Sequence, residues 1–61
     1  MGPVFYLKIN RFDEYAIDCF QHWVEIADEL SADVYMVCDN DIGYKKVVSK
    51  LGRNFNVIPT Y

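Results

Sequence analysis

The chain has few of the residues that covalent or metal chemistry needs: one histidine and two cysteines among 61 residues. Cys19 and Cys38 form neither a CxxC pair nor a zinc spacing, which excludes a zinc ribbon and a disulfide framework. We expect both to be buried free thiols, because each lies within an apolar pattern. His22 has no second ligand at helical spacing and is predicted to be a surface residue.

Glycine-rich phosphate loops and long apolar runs are also missing. With three glycines in the chain, neither G-x-G-x-x-G nor a P-loop occurs, which excludes a pyrophosphate cradle made of backbone N–H groups. No apolar run reaches about 18 residues and no signal-peptide pattern is present, so we expect no membrane span and a cytoplasmic location. Basic residues are outnumbered, 6 against 9, and an acidic chain lacks the footprint of a nucleic-acid-binding protein.

What the chain does contain is apolar residues, 52% of the total, arranged in strand and helix patterns. The patterns predict strands alternating with helices, in the order 4–9, 14–30, 33–38, 41–51 and 55–58. Near-continuous apolar strands are typical of parallel sheets. We therefore expect a single small α/β unit over residues 1–61, a Rossmann-like β-α-β-α-β fold with a three-stranded parallel sheet.

The predicted topology leaves apolar surface uncovered. If the strand order is 3-2-1, right-handed crossovers put both helices on one face of the sheet, and the other face and the free edge of strand 1 are then bare. So small a unit hides only part of its apolar surface. We expect either a fragment of a larger sheet or a chain that self-associates.

The first helix carries an apolar stripe and an acidic surface. The stripe, with Trp23 predicted to lie in the core, comprises Ala16, Cys19, Phe20, Trp23, Val24, Ala27 and Leu30. The second helix is predicted to be basic and to end at Gly52. Helices of opposite charge are expected to lie side by side.

A polar loop follows the first predicted strand, at a position where α/β proteins bind phosphates and nucleotides. Asn10 and Arg11 are candidate nucleotide-binding residues, because a guanidinium presents a forked donor to a phosphate. A solvated arginine is the alternative. Asn10 or Asp13 is expected to cap the first helix.

A second polar cluster, Asp39-Asn40-Asp41, follows the second strand. An acidic residue at this place accepts hydrogen bonds from a ribose in dinucleotide folds, so Asp39 and Asn40 are candidate nucleotide-binding residues. Asp41 is a candidate ligand for a divalent metal, Mg²⁺ or Mn²⁺. The alternative is that one of the three residues caps the second helix. The two interpretations are compatible for different members of the triplet.

Three stretches of the sequence carry a resemblance to a known family: VFYLKINRFDEYA (4–16), CFQHW (19–23) and VYMVCDN (34–40). They resemble the amino-terminal segment of bacterial sugar transferases that build capsules and surface polysaccharides. The resemblance implies a nucleotide-sugar-binding α/β half-domain, with Asn10, Arg11, Asp39 and Asn40 near the nucleotide.

One departure from that family concerns the metal. Such transferases often hold a metal ion and the sugar diphosphate with an Asp-x-Asp motif. Asp39-Asn40-Asp41 has this spelling but stands earlier in the chain than the family's motif. By the resemblance, the acceptor site and the catalytic base are expected beyond residue 61, so this chain alone is expected to bind weakly and to catalyse nothing.

Two other functions fit the sequence. The first is a non-catalytic α/β module that forms a homodimer through strand 1 or helix 1, and it rests on the excess of apolar surface. The second is Mg²⁺-dependent phosphotransfer by Asp39 and Asp41. That chemistry usually follows the first strand, and Gly43 stands where a Thr or Val is expected.

Overall fold

A computed structural model describes residues 2–59, so the terminal residues Met1, Thr60 and Tyr61 lie outside the described part. It contains three strands and two helices in the order β1 (Val4–Lys8), α1 (Glu14–Glu29), β2 (Asp33–Val37), α2 (Asp41–Leu51) and β3 (Asn56–Ile58). The predicted mixed α/β fold, a Rossmann-like unit, is confirmed. Each predicted element is present, with ends that differ by no more than one residue.

The sheet is parallel throughout and has the order β1-β2-β3. Val4 pairs with Asp33 and Tyr6 with Tyr35, while Tyr35 pairs with Asn56 on the other side. β2 is therefore the central strand, and β1 and β3 are edges. Because the carboxyl ends of parallel strands meet at one edge of a sheet, the loops after β1 and β2 are brought together.

One face of the sheet is covered by both helices. Val34 and Met36 of β2 are buried there, and helix residues complete a single core that comprises Ile9, Ile17, Phe20, Val24, Ala27, Val34, Met36, Cys38, Val47 and Phe55. The rings of Phe20 and Phe55 meet edge to face, with centroids 5.4 Å apart. This contact joins α1 to the segment before β3, an arrangement that aromatic pairs favour.

The opposite face of the sheet has no helix of residues 2–59 over it. Strand side chains alternate between the two faces, so this face carries Tyr6, Tyr35 and the residues two positions away from each of them on β1 and β2. Those two rings stack with centroids 5.5 Å apart, and Tyr6 remains 56% exposed. Val37 is buried on this face without joining the main core.

The predicted stripe of α1 was partly wrong. Trp23 is 51% exposed, Leu30 is 54% exposed and Cys19 is also exposed, whereas Ile17 is 1% exposed. The buried stripe of α1 is therefore centred on Ile17, Phe20, Val24 and Ala27. The reason is the size of the layer: α1 has α2 on one side, and its other flank overhangs the free edge of β1.

The two helices do lie side by side with opposite charges, as predicted. The Arg53 guanidinium is 2.9 Å from the Asp28 carboxylate, and the Lys50 ammonium is 3.7 Å from Glu14. Such exposed pairs each contribute about 0–1 kcal/mol. Gly52 ends α2 in the left-handed conformation with φ 71°, which glycine adopts without a Cβ penalty.

Neither helix within residues 2–59 combines the length and the apolar content that crossing a membrane requires.

Candidate functional site

The candidate site lies where the chain leaves β1 and β2. Asn10 and Asp39 follow the carboxyl ends of these neighbouring strands and line one crevice of about 180 Å³, together with Lys8, Ile9, Val37, Cys38 and Pro59. The structure thus brings together a predicted residue from each loop. A polar crevice at this edge of a parallel sheet is the usual ligand position of the α/β class.

Asn40 caps α2. Its backbone is extended, and its Oδ1 accepts a hydrogen bond of 2.8 Å from the Gly43 N–H. This is the geometry by which an N-cap satisfies one of the free N–H groups of a first helical turn. The side-chain oxygen of Asn40, a predicted nucleotide-binding residue, is therefore already bonded, while its amide N–H₂ group remains a donor.

The loop after β1 is ordered by its own ion pair. Asp13 Oδ1 accepts a hydrogen bond of 2.8 Å from the Ala16 N–H and so caps α1, while Arg11 donates to Asp13 Oδ2 at 2.6 Å. The backbone bond from Ala16 and, after it, the Arg11 bond hold the pKa of the Asp13 carboxyl below its ordinary value. Arg11 uses one of its five donors in this way, and its side chain is 69% exposed.

The two carboxylates of the triplet differ in their contacts. Asp41 is 3.3 Å from the Lys45 ammonium, one turn along α2. Asp39 accepts no hydrogen bond and forms no ion pair within residues 2–59. In the same part of the chain no three His, Cys, Asp or Glu side chains are grouped to hold a metal ion. Asp41 thus stays a predicted ligand that would need oxygens from a bound phosphate.

A second groove, of about 410 Å³, adjoins the crevice on the side of β3. Its polar rim is the 39–41 triplet, and its apolar wall is formed by Tyr44, Phe55, Val57 and Pro59. The Tyr44 hydroxyl donates to the Phe55 carbonyl at 3.4 Å, which holds this ring near the groove. Tyr44 was not among the predicted site residues. Its position one turn after Asp41 on the same helix is the signal that could have identified it.

The loop after β1 also contacts the start of α2. Gly43 is buried, and a Cβ built on it would stand 2.3 Å from Phe12 Cζ. The ring therefore occupies the space that any other residue at this position would fill. In the structure Gly43 packs the two candidate loops together.

No protein-family model, curated protein or solved structure matches the chain.

Proposed function

We propose that this chain is the nucleotide-sugar-binding part of a glycosyltransferase and that it is inactive alone. The observation that carries the proposal is the position of Asn10 and Asp39, which line one crevice at the carboxyl ends of adjacent parallel strands. Their neighbours Asp13 and Asn40 are used as helix caps. Asn10 and Asp39 are left for a ligand, since neither side chain is bonded within residues 2–59.

The nucleoside is proposed to occupy the groove beside β3. A ribose has two neighbouring hydroxyls, and the Asp39 carboxylate accepts hydrogen bonds from such donors. The wall made by Tyr44 and Val57 offers an apolar and aromatic surface to a base, and Val57 is 41% exposed for such contact. The volume of about 410 Å³ is within the range of about 300–1,000 Å³ that small-ligand sites have.

The diphosphate is proposed to lie toward β1, against Asn10, Arg11 and Lys8. Helix N-termini are common phosphate sites, but here the first turns already donate N–H groups to the side-chain oxygens of Asp13 and Asn40. The phosphates are therefore held by side chains instead of helix backbones. Arg11 keeps free donors beside its bond to Asp13. Binding by a few exposed side chains predicts weak affinity, with a Kd of about 1 mM.

Sugar transfer itself is proposed to use groups outside residues 2–59. A transferase needs an acceptor site and a base positioned at the acceptor hydroxyl. The crevice supplies one carboxylate, Asp39, and the proposal gives it a binding role. A divalent ion, if used, would join the Asp41 carboxylate to the diphosphate oxygens, because Mg²⁺ is commonly held by one or two carboxylates together with phosphates.

The test is an amide NMR titration of the ¹⁵N-labelled chain with uridine diphosphate, with and without Mg²⁺. We expect shifts confined to Lys8, residues 10–13, 39–41 and 44, and Val57. Asp39→Asn keeps the shape of the side chain and removes its charge, and we expect it to weaken binding by about tenfold. Asp18→Asn is the matched control, because Asp18 is an exposed carboxylate of α1 away from the crevice.

The same titration separates the alternatives. A folded chain that shows no shifts at about 5 mM nucleotide would contradict the nucleotide site. Equal effects of the Asp39 and Asp18 variants would show that only net charge matters. Shifts at Asp39 and Asp41 with Mg²⁺ alone would favour the phosphotransfer alternative, in which these two carboxylates bind the metal.

A further inference from the structure

The outer edge of β1 carries a set of backbone groups that matches a second copy of itself. The Asp33 N–H donates to the Pro3 carbonyl, and the Ile9 N–H donates to the Val37 carbonyl. Alternate residues of a parallel strand bond to the same neighbour, so the N–H and C=O groups of Val4, Tyr6 and Lys8 point away from β2. No strand within residues 2–59 covers that edge.

We propose that two copies of the chain associate through β1, paired antiparallel about a two-fold axis at Tyr6. Tyr6 then faces Tyr6 of the second copy, and Val4 faces Lys8 in both directions. Every outward N–H and C=O of the three residues finds a partner, and the product is one six-stranded sheet. Exposed strand edges are known templates for pairing of this kind. Lys8 is also one of the residues proposed to hold the diphosphate, so the association is measured without nucleotide, and its outcome does not decide the nucleotide site.

Charged residues on the open face of the sheet, the face opposite the helices, support a second copy of the chain as the partner at the β1 edge. Val4 pairs with Asp33 on β2, so Lys8 of one copy lies in the same row as Val4 and Asp33 of the other. The ammonium extends over the small valine side chain toward the carboxylate. Within one copy, Lys8 pairs with Val37 and is four strand positions from the row of Asp33. The ion pair therefore forms only between copies, and the two-fold axis makes it twice.

Aromatic groups on both faces fit the same arrangement. On the open face, the stacked pair of Tyr6 and Tyr35 meets its counterpart and becomes a row of four rings. On the helix face, Tyr15, Cys19 and Trp23 form an exposed stripe at a spacing of four residues. They border a groove of about 370 Å³ along β1. A two-fold axis normal to the sheet brings this stripe against the same stripe of the second α1.

The β1 side of the molecule offers enough surface for a stable dimer. A stable complex buries about 800 Å² on each partner, which is roughly a fifth of the 4368 Å² surface of this chain. The β1 edge, the tyrosine row and the exposed stripe of α1 together form one continuous flank of the molecule. The exposed Trp23, at 51%, is the kind of aromatic residue that anchors interfaces.

The test is charge reversal with rescue, read by sedimentation equilibrium between about 5 and about 500 µM protein. We expect Lys8→Glu to weaken the dimer by about tenfold, because it replaces two attractions by two repulsions. The double variant Lys8→Glu with Asp33→Lys is expected to restore the affinity to within about threefold. Lys46→Glu is the matched control, since Lys46 is exposed on α2 and carries the same charge change.

A second measurement places the interface. Hydrogen exchange at the amides of Val4, Tyr6 and Lys8 is expected to slow as protein concentration rises, while amides of α2 do not change. A folded chain that stays at 7.2 kDa across the range would overturn the proposal. A dimer that Lys8→Glu and Lys46→Glu affect equally, or that the double variant fails to restore, would overturn this interface.

Discussion

The contact between Phe12 and Gly43 leads to a prediction about stability: a glycine-to-alanine change, which usually stabilises a helix, is expected to destabilise this chain. Replacing a helical glycine by alanine usually stabilises a helix by up to about 1 kcal/mol. Here the added Cβ would stand 2.3 Å from Phe12 Cζ and 2.5 Å from both ε carbons, closer than real Cβ contacts allow. The Phe12 ring must shift away from Gly43, and overpacking of this kind costs about 1–3 kcal/mol. We expect Gly43→Ala to destabilise the chain by about 1 kcal/mol net.

Phe12→Leu removes the three ring atoms that the new Cβ would meet. In that background the helix preference acts alone, so Gly43→Ala is expected to stabilise by up to about 1 kcal/mol. The difference between the two backgrounds, about 2 kcal/mol, is the interaction energy of a double-mutant cycle. Urea unfolding followed by circular dichroism measures it, because a 61-residue domain has a total stability on the order of 3–9 kcal/mol.

The matched control is Ser49→Ala, an exposed substitution on the same helix that meets no ring. It is expected to change stability by less than about 0.5 kcal/mol in both backgrounds. If Gly43→Ala stabilised the parent chain as much as the Phe12→Leu variant, the ring would not be seated on Gly43, and the reasoning that links the two candidate loops would fail.

Two further predictions concern single groups. The lowered pKa of Asp13 means that its bonds to Ala16 and Arg11 stabilise the folded chain above the ordinary pKa of an aspartate. This contribution is lost as the pH falls through the pKa that Asp13 has in the folded chain. In Asp13→Asn the free energy of unfolding should therefore fall less steeply as the solution is acidified. At low micromolar concentration a thiol reagent should modify the exposed Cys19 quickly and the buried Cys38 only as fast as the chain opens; equal rates would contradict the assigned burial.

The order of the elements could be predicted from the sequence because each one has a strong local pattern. The apolar runs of the strands and the period of α1 act over a few residues, and Gly52 marks the end of α2 by its own conformational freedom. The near-continuous apolar strands indicate a parallel sheet, and right-handed crossovers put both helices on one face when the strand order is 3-2-1. These features depend on local chemistry and on topology that few alternatives satisfy.

The details of the site depended on information that local patterns do not contain. Any of Asp39, Asn40 and Asp41 has the short polar side chain that a cap needs, and the extended backbone at Asn40 decides among them. Periodicity predicts a core position for Trp23, because it shows which side of a helix is apolar but does not show how wide the neighbouring layer is. The contact of Phe12 with Gly43 joins distant parts of the chain and leaves no local signal.

The parallel register of the sheet has a consequence for how the chain folds. Val4 meets Asp33 and Tyr35 meets Asn56, so each strand pairing closes a loop that contains an entire helix. No hairpin can form early and guide the rest, since every strand partner is distant in sequence. Helix α1, with its local contacts, is the element that can form first. The strands gain their hydrogen bonds only when a helix has already folded back over them, which predicts an all-or-none transition slower than that of a helical bundle of the same length.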